Sequence, residues 1–497
     1  MSSDRLINRN QRYIIERIIV KGTLVLDTPT CLGSGDADGD TDLILLRDSR
    51  EDKALLMGSS IAGALRNYLR EYKNGYSATE ESLLFGGLRS DEEGEQSPLI
   101  VNDALSRENI KAELRDGVKI NSVTRTAEPG AKYDLELLEA ETKFDLYFEL
   151  LIDAENNQEQ LVRELAIALQ GLECGEISIG MKKRRGFGRA HVENWQVWQF
   201  DLQKYDERIA WLTFEHWSTG LLPNYQPYDS IENALGVSVD GGDKRDRLTI
   251  NATFTLASPL LIRSGQASTN KAPDVVHLKS RRNDELKPIL SGTALTGALR
   301  HRAERIINTL TQGKKQLITE QIVNEMFGFV KDKKQKLEST NDDQTKRAKA
   351  SRLTVDESII KGATKDNDLV QNRIAIDRFT GGALHGALFN EQPIFGGDET
   401  SLELKLELRQ PKNHEIGLLL LLIKDLWTGD LPVGGTSGIG RGRLQGKYGK
   451  DTTITLHNFQ KKTTWTIFQA AKDEALVVND VESLDKFVAA LNKELVN

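Results

Sequence analysis

The chain has 497 residues, of which 38% are hydrophobic and 28% charged, with a formal net charge of −8. It is too long for one hydrophobic core, no stretch approaches the ~20 apolar residues of a membrane span, and two cysteines, Cys31 and Cys174, exclude a disulfide framework or a cysteine-rich zinc site. A general polyanion binder is also excluded unless local basic patches outweigh the net charge.

The N-terminal "MSSDRLINRNQRY" lacks the apolar region of a signal peptide, which predicts a cytoplasmic protein. The first regular element is "RIIVKGTLVL", whose Ile18, Val20, Leu24 and Leu26 alternate as a half-buried strand requires. A polar loop, "LGSGDADGDTDLILLRDSRED", follows, and then "MGSSIAGALR" opens an amphipathic helix with Ile61, Leu65, Leu69 and Tyr72 on one face. Ser59 and Ser60 stand where N-caps are expected. Next come "LLFGG", "LIVNDALS" with Asp103, "NSVTRTAEP" with Arg125, a second helix "QEQLVRELAIALQGL", and the Gly-rich "GMKKRRGFGRA".

The series then repeats in the same order. Leu248, Ile250, Phe254 and Leu256 alternate in "LTINATFTL", followed by the polar loop "RSGQASTNKAPDVVHLKSRRNDE". "SGTALTGALR" begins 234 residues after its partner, with Thr293 at the expected cap and Leu295, Leu299, Ala303 and Ile306 on the apolar face. "EMFGF", "LTVDESII" with Asp356, "IAIDRFTGG" with Arg378, the helix "EIGLLLLLIKDLW" and "GGTSGIGRGRL" complete it. The sequence pairs Asp103 with Asp356 and Arg125 with Arg378, and a charge-dense insertion, "KDKKQKLESTNDDQTKRAKAS", lengthens the second copy.

These elements predict an α+β chain of two tandem ferredoxin-like βαββαβ domains with inserted hairpins: residues 1–204, a linker over 205–246, residues 247–450, and a C-terminal extension over 451–497. Of the residues with chemical character, Lys182, Lys183, Arg184 and Arg185 stand out, because four consecutive cations in a Gly-flanked loop repel one another unless a polyanion is near. Arg189 follows them. In the second copy, backbone N–H groups with Arg441 and Arg443 have the composition of an anion-binding nest. Ser59, Ser60 and Thr293 at helix starts, Arg66 and Arg300 one or two turns on, and the paired Arg125 and Arg378 complete a set able to meet phosphates; solvated or purely capping roles are the alternatives. Asp36, Asp38, Asp40 and Asp42 alternate as a calcium loop would, but an EF-hand counted from Asp36 needs Gly and Glu where the chain has Thr41 and Arg47. His277 and His385 belong to no histidine cluster and read as incidental.

The ordered set "GSSIAGALR" or "GTALTGALR" after a polar loop, with a terminal "RRGFGRA" or "SGIGRGR", resembles the RAMP superfamily, specifically the backbone subunits of type III CRISPR effector complexes, with two units fused as in a type III-D-like variant. The resemblance implies a CRISPR RNA ligand, a single-stranded target RNA, other type III effector subunits as partners, and a projecting hairpin that kinks the guide–target duplex. It also implies an endoribonuclease whose catalytic aspartate lies in the polar loop: Asp42 in the first copy and Asp274 in the second, each holding a divalent cation such as Mg2+ or Mn2+, with Asp40 as a further ligand in the crowded first loop. Two other functions remain open: a guide-binding scaffold with inert loops, and a CRISPR RNA processing endonuclease.

Overall fold

The computed structural model describes residues 13–33, 44–76, 83–87, 96–121, 124, 126–154, 157–218, 220–239, 241–264, 273–330, 348–363, 369–449 and 452–496. They fall into two units. Unit 1 comprises the chain to Glu113, Glu136–Lys183 and Phe187–Arg245; unit 2 comprises Leu114–Leu135, Arg184–Gly186 and the chain from Asp246.

Unit 1 is built on β1 (Ile14–Leu26), β2 (Lys53–Leu56), α1 (Gly58–Asn74), β3 (Leu99–Val101), β4 (Ala104–Asn109), β7 (Lys143–Asp153), α2 (Gln158–Glu173) and β8 (Ala190–Asp201); β5 (Ala112–Ile120) and β6 (Ala127–Leu138) form a hairpin between β4 and β7. The sheet order is β2-β4-β7-β1-β8, with β3 also on β7, and the pairs are antiparallel. Ile18, Val20, Leu24 and Leu26 face one core shared with Ile61, Leu65 and Leu69 of α1 and Leu161, Leu165 and Leu169 of α2, as the alternation predicts. The other face of β1 differs from the half-buried expectation. Ile19 packs with Trp198, Phe200, Trp211 and Phe214, and Lys21 is buried with its Nζ donating to the Ser218 carbonyl at 2.9 Å. Burial lowers the pKa of Lys21. The rings of Tyr147, Trp198 and Phe214 surround the ammonium at 5.6, 5.8 and 5.7 Å.

That second layer comes from the segment expected to be a linker. Residues 205–245 carry α3 (Tyr205–Leu212) and α4 (Ile231–Leu235), and Ile231 and Leu235 enter the main core of unit 1. Apolar residues spaced through a polar stretch were enough to fasten it down.

Unit 2 contains β9 (Arg247–Leu256), β10 (Arg263–Ser264), β11 (Val275–His277), β12 (Lys279–Arg282), β13 (Glu285–Leu290), α5 (Gly292–Leu310), α6 (Gln316–Phe327), β14 (Phe329–Val330), β15 (Ala348–Lys349), β16 (Leu353–Val355), β17 (Ser358–Ile359), β18 (Gln371–Arg373), β19 (Phe389–Gln392), β20 (Leu402–Arg409), α7 (Asn413–Trp427), β21 (Leu444–Gly446), β22 (Ile454–Asn458), β23 (Thr463–Phe468), β24 (Val477–Val478) and α8 (Val481–Val496). Its main sheet runs β16-β20-β9-β22-β23-β24, with β21 also on β9. The pairing of Leu26 with Ala190 reappears as Leu256 with Leu444, and that of Leu24 with Phe144 as Phe254 with Leu402. The C-terminal segment is integral: β22 pairs with β9, and Leu484, Phe487, Leu491 and Leu495 of α8 enter the core of unit 2.

Register corrects one sequence pairing. Asn102 N donates to the Tyr147 carbonyl and Asp356 N to the Lys405 carbonyl, at 3.2 and 3.1 Å, so Asp356 corresponds to Asn102 and Glu357 to Asp103. The helix starts are corrected too. Met57 is the N-cap of α1 and gives no side-chain cap; the Gly58 amide donates instead to Asp103 Oδ1 at 2.7 Å. Ser291 caps α5, accepting from the Ala294 amide at 3.2 Å. Ser59, Ser60 and Thr293 lie inside the first turns.

Each Gly-rich loop closes over a strand end by the same wiring. Ile179 N donates to the Gly188 carbonyl at 2.7 Å and Gly188 N to Pro29; Val433 N donates to Gly442 at 2.8 Å and Gly442 N to Pro259. A Cβ on Gly188 would stand 1.8 Å from the Ile179 carbonyl oxygen, and one on Gly442 1.9 Å from that of Val433, with φ at +73° and +78°. Gly188→Ala or Gly442→Ala should each cost about 3 kcal/mol or more in urea unfolding, whereas Gly440→Ala, also at positive φ but in open space, should cost about 1 kcal/mol.

His277 is sealed in unit 2, its Nδ1 accepting from the Ile262 amide at 3.2 Å and its Nε2 donating to the Ile289 carbonyl at 3.0 Å. Burial pushes its pKa down to about 4. The unfolded chain takes up this proton near pH 6.5, so the contribution of His277 is full above that pH and is lost as pH falls toward 4, up to about 3 kcal/mol. Unfolding free energy measured from pH 7 to 4 should therefore fall more steeply for the wild type than for His277→Asn.

Candidate nucleic-acid interface

The basic stretch of the first Gly-rich loop folds as a single turn of 3-10 helix over Lys183–Arg185, entered through Lys182 at φ +55° and left through Gly186 at φ +83°. Lys182, Lys183 and Arg184 are half-buried, and Arg184 Nη1 reaches Thr354 Oγ1 at 3.1 Å. Arg185 is the electrostatically exceptional one. Its Nη1 is buried without a hydrogen-bond partner among the described residues. Burial and then the neighbouring Arg300 guanidinium lower its pKa, while Tyr133 opposes them. A desolvated guanidinium beside a second cation is stabilised by any anion that reaches it. Arg189 is half-buried, and its backbone holds the strand end: its carbonyl accepts from Asp27 N at 2.8 Å and its amide donates to Thr28 Oγ1 at 3.0 Å.

The second Gly-rich loop is differently charged. Arg441 is buried, donating from Nη1 to Glu391 Oε2 at 2.8 Å and from Nη2 to Gln371, and Arg373 Nε approaches the same carboxylate at 2.7 Å. Two cations on one buried carboxylate pin the base of the β18–β19 hairpin, so the anchoring role of Arg441 is structural. Arg443 is exposed next to it, its amide held by Ser258 Oγ at 2.9 Å.

Arg66 and Arg300 share a task. Arg66 Nη2 donates to the carbonyls of Phe85 and Gly86, and Arg300 Nη1 to that of Gly328 at 2.6 Å with Nη2 on Asn324 Oδ1 at 2.6 Å. This explains the recurrence of "FG" after each first helix: the arginine ties down a carbonyl that the turn would leave unpaired. Ser59 and Ser60 are exposed in the first turn of α1, and Thr293 is half-buried in that of α5.

Asp274 is exposed immediately before β11, and its Oδ2 accepts from the Asn390 amide of β19 at 2.8 Å. The structure thereby brings together the polar loop of the second copy and the base of its hairpin, which sequence spacing did not reveal. That hairpin exposes Ile374, Ile376, Leu384 and Leu388, with Phe379 fully in solvent and Arg378 exposed beside it. The signal existed in the sequence as apolar residues within "NRIAIDRFTGGALHGALF", a stretch too glycine-rich for a core strand. Asp40, Asp42 and Arg125 lie outside the described residues. Among the described residues no group of three or more Asp, Glu, His or Cys side chains gathers to hold a metal ion.

No curated protein matches the chain. The family model of the RAMP superfamily matches it twice, over residues 23–191 and 253–445, once in each repeat from within the first strand to the strand after the Gly-rich loop. With both repeats matched over most of their length, the chain belongs to the RAMP superfamily.

Proposed function

We propose that this chain is a CRISPR RNA-binding backbone subunit of a type III effector complex, two ferredoxin-like RAMP units in one polypeptide, that cleaves complementary target RNA at two positions with Asp42 and Asp274. Family membership supports the coarse part, a CRISPR-associated RNA-binding subunit acting with effector partners. The strand order β8-β1-β7-β4 around α1 and α2 supports the ferredoxin-like reading. Fusion of two units favours a type III-D-like assembly.

The observation that carries the cleavage reading is the exposed Asp274 carboxylate held by the Asn390 amide at the base of a hairpin tipped by Phe379. An apolar wedge at that place unstacks a nucleotide, and an unstacked ribonucleotide can bring its 2′-OH in line with its own phosphorus. Asp274 then accepts the 2′-OH proton, or orients it, while the phosphate lies against the exposed Arg443 of the same unit. Asp274 would hold a divalent cation, which would supply charge neutralisation to the reacting phosphate. The 2′-oxygen forms its bond to phosphorus as the P–O5′ bond breaks; the proton taken by Asp274 passes to water and the departing 5′-oxygen takes one from water, giving a 2′,3′-cyclic phosphate and a 5′-hydroxyl.

The scaffold reading is favoured by one fact, the absence of a multi-carboxylate cluster among the described residues. A processing endonuclease that works through histidine finds no support at His277, whose two ring nitrogens are occupied inside the core.

The deciding experiment is cleavage of a labelled complementary RNA by the assembled complex in Mg2+. Asp42→Ala and Asp274→Ala should each remove one product with target binding kept, the double variant should remove both, and a 2′-deoxy nucleotide at a cut should block that cut. Persistence of every product in the double variant makes the chain a ruler whose neighbours cut. For the guide, Lys182→Ala with Lys183→Ala should weaken binding and flatten the log–log salt dependence by about 0.7 for each phosphate no longer neutralised.

A further inference from the structure

The strand that Asp274 precedes is held from both sides by the second Gly-rich loop. β11 lies between β10 and β19 and pairs with both. On the β10 side the loop is tied by its backbone, Gly435 N donating to the Leu261 carbonyl at 2.8 Å just before β10 begins. On the β19 side it is tied by a side chain. Glu391 follows Asn390, whose amide holds the Asp274 carboxylate at 2.8 Å, and it pairs in register with Val275, the residue after Asp274. Its carboxylate is buried, and Oε2 takes Arg441 Nη1 at 2.8 Å and Arg373 Nε at 2.7 Å. Arg441 also reaches Gln371 of β18 and Thr436 of its own loop. Glu391 Oε1 is buried without a hydrogen-bond partner among the described residues, so the charge is compensated at Oε2.

The equivalent positions of the first repeat carry no charge. Thr30 bridges Leu138 there as Leu260 bridges Ile394 in the second repeat, which sets Leu135 against Glu391. Matching Gly188 with Gly442 sets Phe187 against Arg441. Leu135 and Phe187 are both buried. An ion pair at two positions that can be apolar adds little net stability, but removal of one partner leaves the other charge uncompensated and the strand that carries it free to shift. After the first polar loop the chain is held differently, Glu136 accepting from the Leu45 amide at 3.0 Å and from Arg47.

We propose that Arg441 is a positioning residue for Asp274: by holding Glu391 it fixes the pairing of β11 with β19 on which the Asp274 carboxylate is set. The inference rests on the cleavage reading above and deepens it, naming a residue outside the polar loop that governs one of the two sites. Arg441 is buried, so it acts through Glu391 and Asn390 rather than on RNA. In-line attack tolerates little displacement, since a shift of about 1 Å in a reacting or orienting group costs on the order of a hundredfold in rate. Phe187 has no charge with which to play this part, so the first site is independent of it.

Single-turnover cleavage by the assembled complex in Mg2+, with each product assigned by Asp42→Ala and Asp274→Ala, tests the proposal together with hydrogen exchange on the RNA-free full chain. Arg441→Met should slow the Asp274 product by about tenfold or more, with target affinity and the Asp42 product unchanged. Residues 273–278 and 389–394 of that variant should exchange faster, while β9 and β20 exchange as in the wild type and show that unit 2 is folded. Arg441→Lys, which keeps a cation on Glu391 but loses the fork to Gln371, should lie between the two, and is read in its place if the methionine variant unfolds. Wild-type exchange at residues 273–278, a wild-type rate for the Asp274 product, or equal slowing of both products would each overturn the proposal. If Asp274→Ala leaves every product in place the cleavage reading falls, and the exchange comparison alone then decides whether Arg441 holds the Asp274 segment.

Discussion

The close crossing of a carbonyl over a glycine at each Gly-rich loop is the constraint on which the site geometry rests. With Ile179 O at 1.8 Å and Val433 O at 1.9 Å from where a side chain would begin, only glycine permits the chain to pass. Because of that crossing, the loop leaves the second helix, lies against the end of the first strand, and returns as its antiparallel neighbour. The residues around it, Lys182–Arg185 in one repeat and Thr436–Ile439 in the other, therefore hold equivalent positions in the two repeats. Their chemistry was then able to diverge while the backbone stayed constant.

That divergence is informative. The four positions Lys182–Arg185 carry Thr436, Ser437, Gly438 and Ile439 in the second loop, whose buried Arg441 secures the hairpin base through Glu391. The two repeats therefore share a frame while their Gly-rich loops differ in charge, and the second presents a carboxylate, Asp274, at the base of an exposed apolar hairpin. A net charge of −8 is compatible with an RNA ligand under these conditions, since the cations are gathered on loops and acids such as Glu136, Glu149 and Glu193 pair with arginines and lysines within the sheet region.

Much of the architecture was legible in the sequence because it rests on local periodicity. Alternation in "RIIVKGTLVL" and "LTINATFTL", the apolar faces of α1 and α5, and the spacing of Gly188 and Gly442 each follow from the residues themselves. Capping was misread by one or two positions, since the amide of Gly58 is satisfied by Asp103, a residue brought from another strand. The pairing of Asp103 with Asp356 failed for a similar reason: similar letters one position apart cannot be told from a true match until hydrogen bonds set the register.

By itself, the sequence determined that the chain is a tandem repeat, where its first strands and helices lie, and which loops carry glycine and charge, because these depend on composition and short-range order. Tertiary structure alone decided which of those charges are spent inside the protein. Arg441 looks like a phosphate ligand in a string of letters, yet it is buried against Glu391, and Lys21 is buried among three aromatic rings drawn from distant segments. A buried cation takes whichever partner the fold brings within reach, and that choice is not written in its neighbours along the chain.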